Sequence, residues 1–159
     1  MWTVIDSPIG QLRLVEHHGS ITAIDFHPFG DADGRPRGDR DDGHPVLVQC
    51  ARQLAEYFAG ERTEFELPLA PVGTDFQRRV WKELLTIGYG CTASYGEIAG
   101  RLGLTGHGAR AVGLANGRNP IPVLIPCHRV VGAGGALTGY AGGLTRKRTL
   151  LDLESGSLF

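Results

Sequence analysis

The chain has 159 residues, 42% of them hydrophobic and 21% charged, which allows one large domain or two small ones and excludes a large multidomain protein. No apolar run approaches the roughly 18 residues that a membrane helix needs, so we expect no membrane partner. The formal net charge of −1 combines two unlike halves, because residues 1–72 carry 6 arginines and 12 acids while residues 73–159 carry 10 basic residues and 5 acids. The basic second half indicates an anionic partner.

The first half of the chain predicts a small antiparallel sheet followed by a loop and a helix. Short apolar or alternating runs, separated by turn-forming residues, predict strands at 2–5, 12–15 and 21–26. The stretch 27–44 is crowded with Gly, Pro, Asp and Arg, and we expect a mobile loop because it has little apolar surface to bury. Apolar residues at helical spacing then predict a helix over 46–58, which Gly60 ends.

The second half begins with two helix-start signals of the same kind. Each of the pairs Thr74 with Gln77 and Ser94 with Glu97 fits a capping box. In this motif a hydroxyl and a longer polar side chain accept hydrogen bonds from backbone N–H groups at the helix start, which have no partner within the helix. Helices are predicted over 77–85, from Tyr95 onward and over 109–116. The last two are joined by a glycine-containing turn in a basic segment, and this arrangement resembles a helix-turn-helix.

The end of the chain combines a buried segment, a run of small residues and a final helix. The apolar run 121–125 predicts a buried strand that leads to Pro126 and Cys127. Small and turn-forming residues fill 132–143, and a last helix is expected over 144–154. The cysteine is therefore expected at the point where a strand ends.

The cysteines indicate a reducing compartment. There are three of them, with no CxxC pair, which excludes a disulfide scaffold, and the N-terminus has no secretory signal, so we expect a cytoplasmic protein. The first half offers one thiol and four histidines without paired metal-ligand spacing, so we expect no zinc. These residues are His17, His18, His27, His44 and Cys50.

The pair Cys127-His128 is the strongest candidate in the sequence for a chemically reactive site. A thiolate is the reactive form of cysteine, and an imidazole that accepts a proton, together with the Arg129 charge, would favour it. Neighbours on a strand point to opposite faces, so a bridging water is the expected link between thiol and imidazole. From spacing alone such a dipeptide is more often structural, and its position in a basic half with a helix pair favours the catalytic interpretation.

The run Ile125-Pro126-Cys127-His128-Arg129-Val130 resembles the active-site signature of the O6-alkylguanine-DNA alkyltransferases, also called methylated-DNA–protein-cysteine methyltransferases. Further runs match the family in the same order: Gly73-Thr74-Asp75-Phe76-Gln77, Ser94-Tyr95, Arg110-Ala111-Val112-Gly113, Asn119-Pro120, Gly139-Tyr140 and Gly142-Gly143-Leu144. The resemblance implies an α+β protein. Residues 1–72 would form a small antiparallel sheet with a helix, and residues 73–159 a mostly helical, winged-helix-like domain for DNA binding and catalysis.

The resemblance implies direct-reversal DNA repair without a cofactor. Cys127 would take a methyl or small alkyl group from the O6 atom of guanine and keep it as a thioether, once per molecule. His128 matches the residue that takes the thiol proton through a water, and Glu154 matches the acid that orients this histidine. Asn119 matches a residue that buttresses the active-site turn. Tyr95 matches a tyrosine placed against the base, where a donated proton makes guanine a better leaving group.

The resemblance also assigns residues to DNA and to the flipped base. Arg110 matches the arginine that enters the base stack in place of the flipped nucleotide, while Ala109 and Gly113, with Tyr95, belong to the surface that meets the minor groove. The base pocket matches Tyr140, Ala141 and Val130. Because some family members have a hydroxyl residue where this chain has Ala141, the donor to guanine here would be a backbone N–H.

The expected partner is double-stranded DNA containing O6-alkylguanine, bound by a monomer. Cooperativity on DNA, larger alkyl groups and alkylated thymine are left open. Two alternatives compete: a non-enzymatic sensor of alkylated DNA, although such relatives replace the acceptor cysteine, and a cysteine hydrolase, which leaves the basic half unexplained. The candidates for phosphate contact are Arg78, Arg79, Lys82, Arg101, Arg118, Arg146, Lys147 and Arg148.

Overall fold

The computed structural model describes residues 1–30 and 34–156, and it divides the chain into two compact units, Met1–Pro71 and Val72–Phe159. The first unit contains three strands and one helix, and the second contains four helices and two very short strands. This is an α+β fold, as the sequence predicts. Among the described residues, no helix combines the length and the apolar character that a membrane span requires.

The first unit is an antiparallel sheet covered by a helix. Its elements are β1 (Trp2–Ile5), β2 (Leu12–His17), β3 (Ser20–Phe26) and α1 (Pro45–Phe58). The strands pair in the order β1-β2-β3, with Leu14 opposite both Thr3 and Ile24, so the predicted meander is confirmed. The His44 Nδ1 atom accepts a hydrogen bond from the Val46 amide at 3.3 Å and caps α1, which packs on the sheet.

The stretch predicted as a mobile loop is partly tied to the sheet. The Arg37 guanidinium donates hydrogen bonds of 3.0 and 3.1 Å to the Asp25 carboxylate. The main chain of Trp2 exchanges two hydrogen bonds with residues 39–41. Charge pairing and the edge of β1, rather than apolar burial, hold this part of the segment. Residues 31–33 lie outside the described residues, and the mobility of the loop stays a prediction.

The second unit is built on four helices. They are α2 (Asp75–Leu84), α3 (Tyr95–Arg101), α4 (Gly108–Gly117) and α5 (Leu144–Ser155), and the short strands β4 (Ala93–Ser94) and β5 (Val130–Val131) pair in parallel. Both predicted capping boxes form. The hydroxyls of Thr74 and Ser94 accept hydrogen bonds from the backbone N–H groups three residues later, at Gln77 and Glu97, and the side chains of these two residues accept from the backbone N–H groups of Thr74 and Ser94. Helix α2 begins directly after its cap, two residues earlier than predicted.

Helices α3 and α4 pack together at a point where only glycine fits. A Cβ atom built on Gly108 would lie 2.7 Å from the Cβ of Leu104 and 3.3 Å from that of Ala99. The buried indole of Trp81 on α2 donates to the Ala115 carbonyl of α4 at 2.8 Å. These contacts fix α4, and with it the surface that α4 presents to solvent.

The apolar run 121–125 is not a strand, and that prediction was wrong. It forms a buried turn in which the Ile125 amide donates to the Ile121 carbonyl at 2.9 Å, and Val123 has a φ of +72°. Asn119 holds both sides of the turn, donating to the Ile125 carbonyl at 2.8 Å and accepting from the Ile121 amide at 3.0 Å. A wholly apolar run has no period that separates a strand from a buried turn.

We expect Gly108→Ala to destabilise the protein, because its methyl group would meet the Leu104 side chain and force α3 and α4 apart. The free energy of unfolding, measured by urea denaturation, should fall by about 1–3 kcal/mol. Gly100→Ala is the matched control, since nothing lies within 4 Å of a Cβ at this position in α3. It should raise stability by about 0.5–1 kcal/mol. Equal effects in the two variants would contradict the packing argument.

Candidate active site

Cys127 is buried at the start of a short 3-10 turn, Cys127–Arg129, and does not end a strand as predicted. Asn116 of α4 donates to its carbonyl at 3.3 Å, and its own amide donates to the Ile125 carbonyl at 2.8 Å. Burial raises the pKa of the Cys127 thiol to about 11, although a hydrogen bond from Asn119 and the Lys147 charge act in the opposite direction. The thiol is therefore protonated at rest, and it would need a base in order to react as a nucleophile.

His128 has the properties of that base. Its side chain is fully buried, and its Nε2 atom lies 2.7 Å from Oε2 of Glu154. If Nε2 carries the proton in this bond, Nδ1 is an acceptor, and Nδ1 has no hydrogen-bond partner among the described residues. Burial lowers the pKa of His128 below its ordinary value, outweighing the opposite effect of Glu154. The imidazole is thus neutral with one nitrogen ready to take a proton.

Glu154, on α5, is the centre of a buried network. Its carboxylate accepts from Arg129 Nε at 2.7 Å and from Arg129 Nη2 at 3.0 Å, besides its bond with His128. A third bond from Arg129, 2.6 Å long, goes to the Ile87 carbonyl. From the sequence, the Arg129 charge is expected to act on the thiol. The structure corrects this, because the guanidinium pairs with the carboxylate that orients the histidine.

Lys147 is a component of the site that sequence reasoning missed. It was a candidate for phosphate contact, but its side chain is fully buried and its Nζ donates to the carbonyls of Val130 at 2.6 Å and Thr138 at 2.9 Å. Burial of the ammonium excludes it from DNA contact and lowers its pKa. Helical spacing could have revealed this, since Lys147 is three residues before Leu150 and seven before Glu154, on the buried side of α5.

An open cleft of about 660 Å³ lies beside α4. It is lined by Tyr95, Ala109, Arg110, Gly113, Leu114, Gly117, Thr138, Gly139, Tyr140 and Ala141. The structure thus brings together the residues predicted for DNA contact and two of the three predicted for the base pocket. Val130, the third, does not line the cleft, because it is fully buried in β5 opposite Ala93.

Two tyrosines that line the cleft interact with other groups of the site. The Tyr95 hydroxyl lies 2.8 Å from Oγ1 of Thr138, whose carbonyl accepts from Lys147. Burial raises the pKa of Tyr140, and the charge that Cys127 would carry as a thiolate adds to this effect. Thr138 stands in a run of small residues without a motif, so the sequence offered no sign of its role.

The expectation of no zinc concerns the first unit. Cys50 is buried on α1, and burial raises the pKa of its thiol to about 12, so a packing role suits it. Within residues 1–30 and 34–156, no three side chains of His, Cys, Asp or Glu are grouped to hold a metal ion. The absence of zinc stays a prediction.

Comparison with known proteins finds one family over both halves of the chain. The family model described as "6-O-methylguanine DNA methyltransferase, ribonuclease-like domain" matches residues 1–71, and the model described as "6-O-methylguanine DNA methyltransferase, DNA binding domain" matches residues 75–156. The chain is 53% identical over 153 residues to the methylated-DNA–protein-cysteine methyltransferase of Mycobacterium tuberculosis strain H37Rv, with 96% of this chain and 91% of the relative covered.

Solved structures show the same likeness. The crystal structure of the Mycobacterium tuberculosis O6-methylguanine methyltransferase superposes with a TM-score of 0.87 at 51% identity. That of Mycobacterium tuberculosis OGT in complex with DNA superposes with a TM-score of 0.83 at 50% identity. Each comparison covers 98% of this chain and 92% of the other.

We expect Glu154→Gln to destabilise the protein, because it leaves Arg129 buried without its carboxylate partner. Urea denaturation should show a loss of about 3–5 kcal/mol in the free energy of unfolding. Asp152→Asn on the same helix is the control, since its carboxylate lies 4.0 Å from the exposed Arg148. This change should cost less than about 1 kcal/mol. A comparable loss in the control would argue against a special role for the buried network.

Proposed function

This chain belongs to the 6-O-methylguanine DNA methyltransferase family, and from that premise we propose how its own residues carry out the transfer. The protein is an enzyme of direct-reversal DNA repair, a methylated-DNA–protein-cysteine methyltransferase that binds DNA. The observation that carries the residue assignment is a buried thiol of high pKa next to a neutral, carboxylate-bound histidine. The substrate we propose is duplex DNA that contains O6-alkylguanine, bound by a monomer.

The first step is removal of the thiol proton. His128 accepts it at Nδ1 through a water molecule, and Glu154, bonded to Nε2, stabilises the imidazolium that forms. The resulting thiolate of Cys127 is a strong nucleophile because burial leaves it poorly solvated. Deprotonation therefore takes place inside the site, with the alkyl group as the only electrophile in reach.

In the second step the alkyl group is transferred from guanine O6 to the Cys127 sulfur. The Cys127 sulfur forms a bond with the alkyl carbon, the bond from that carbon to guanine O6 breaks, and its electron pair stays on the base. Tyr95 donates a proton to the departing guanine, and the tyrosinate that remains is reprotonated through solvent by the proton that His128 releases. The net change moves the thiol proton to the base. A thioether has no leaving group that the site can displace, so each molecule acts once.

The buried position of the thiol requires the base to leave the duplex. Extrusion of a nucleotide costs a few kcal/mol, which contacts in the gap left behind offset. Arg110 lies exposed on the stripe of α4 that lines the cleft, where it can enter the base stack. Ala109 and Gly113 beside it keep the helix surface flat enough for the minor groove. Arg118, exposed at the end of α4, is our candidate for a flanking phosphate.

The alternative of a lesion sensor without activity is not favoured. The acceptor cysteine is present, and the family's curated members similar to this chain are named as methyltransferases. A hydrolase would release its product and act repeatedly, so turnover number separates it from the proposed reaction.

We expect one equivalent of methyl group on Cys127 when the protein is incubated with excess duplex containing O6-methylguanine. Peptide mass mapping locates the group, and titration of protein against lesion gives the stoichiometry. Cys127→Ala should transfer nothing and still retain the duplex in a gel-shift assay. Cys91→Ala, at an exposed cysteine, should behave as the unaltered protein. Repeated turnover, or a methyl group found elsewhere, would overturn the assignment.

The pH dependence of transfer tests the base. His128 has to be neutral to accept the thiol proton, and burial holds its pKa below the ordinary value. We therefore expect the single-turnover rate constant to stay level as the pH falls through about 6.5 and to decline only at lower pH. The control is His107→Gln, at the other histidine of residues 73–159, which is exposed; it should give the same profile. An acid limb centred at or above the ordinary histidine pKa would contradict the assignment.

A further inference from the structure

The outward stripe of α4 carries only two long side chains. It consists of Ala109, Arg110, Gly113, Leu114 and Gly117, all of which line the cleft. Arg110 and Leu114 are four residues apart, so they project from the same face of the helix one turn from each other. The other three residues are Ala or Gly and leave the surface between them low. The stripe therefore presents one cationic and one apolar projection.

Leu114 is not needed for the core of the unit. Its side chain is 64% exposed, the highest value among the large hydrophobic residues described as exposed. Helix α4 is anchored instead by Val112, Ala115 and Asn116, which face inward and are buried. Single exposed leucines are common on protein surfaces, so exposure alone carries no argument. What sets Leu114 apart is its place at the cleft beside Arg110.

The surroundings of Leu114 favour DNA as the molecule that covers it. The residues lining the cleft in the described part of the chain include a cation, Arg110, and no carboxylate. The cleft is continuous with the stripe through which α4 is proposed to meet the minor groove. Proteins that bind this groove combine Arg or Lys with apolar side chains that wedge against base steps. Arg110 and Leu114 are such a combination.

We propose that Leu114 is a second minor-groove contact, an apolar wedge that packs against the duplex beside the gap filled by Arg110. This inference rests on the proposed function. The Cβ atoms of two residues four positions apart on a helix are separated by about 5–6 Å. Successive base pairs of a duplex are separated by about 3.4 Å. Leu114 would thus reach a step within roughly two base pairs of the extruded nucleotide. Its role is to favour duplex over free base by stabilising the opened DNA.

The test compares two substrates in one variant. The quantity measured is the ratio of two transfer rates, that on duplex DNA containing O6-methylguanine and that on a free O6-alkylguanine base. We expect Leu114→Ala to lower this ratio by about tenfold, because the substitution removes apolar area that would contact only the duplex. Leu85→Ala is the matched control, since Leu85 is 51% exposed at the end of α2 and does not line the cleft. It should leave the ratio unchanged.

A second measurement reports on the DNA itself. The fluorescent base 2-aminopurine is placed two base pairs from the lesion. Binding of the Cys127→Ala variant should raise its fluorescence, because the base step at this position opens. The double variant Cys127→Ala, Leu114→Ala should not raise it. Rates that are unchanged on both substrates would overturn the inference. An equal loss on both substrates would also overturn it and would place Leu114 in the wall of the base site. Absence of transfer by the unaltered protein would instead refute the proposed function.

Discussion

The Glu154 carboxylate is the interaction on which the site depends. It is buried and bonded at once to Arg129 and His128, so one group from the last helix fixes the turn that contains the nucleophile. A buried carboxylate is tolerated only when its charge is paired and its lone pairs are satisfied, and Arg129 does both. Because Arg129 neutralises Glu154, the carboxylate orients His128 without forcing it to stay protonated. The imidazole remains able to act as a base.

The irregular main chain around the nucleophile is stabilised by side chains instead of by a sheet. Asn116, Asn119 and Lys147 donate to three different carbonyls within 125–130, and two of these carbonyls also accept main-chain hydrogen bonds. A regular strand would have satisfied these groups itself and pointed Cys127 and His128 to opposite faces. The turn allows both side chains to be buried in one region, at the expense of three polar side chains dedicated to holding it.

Features that depend on neighbouring residues could be predicted from the sequence, and features that depend on distant partners could not. The helices and both capping boxes follow from spacing and local hydrogen bonds. The turn at 121–125 was missed because an apolar run shows neither the left-handed conformation of Val123 nor the hydrogen bonds by which Asn119 holds Ile121 and Ile125. Arg129 was interpreted as a charge that favours the thiolate, because its partner Glu154 lies 25 residues away along the chain. Lys147 was interpreted as a candidate for phosphate contact, although its spacing from Leu150 and Glu154 indicates the buried side of α5. Glu154 was identified through resemblance to the family, not through its own pattern.

The high pKa of the nucleophile suits a protein that reacts once. With a thiol pKa of about 11, on the order of one molecule in ten thousand carries the thiolate at neutral pH. Any small electrophile in the cell could consume a resting thiolate, and the loss would be permanent because the site cannot reverse it. Cys127 is shielded by burial as well as by its proton, whereas Cys91 is exposed. In the proposed reaction, the thiol proton passes to His128 while an extruded base is in place, so the same burial that protects the thiol would also couple its activation to DNA.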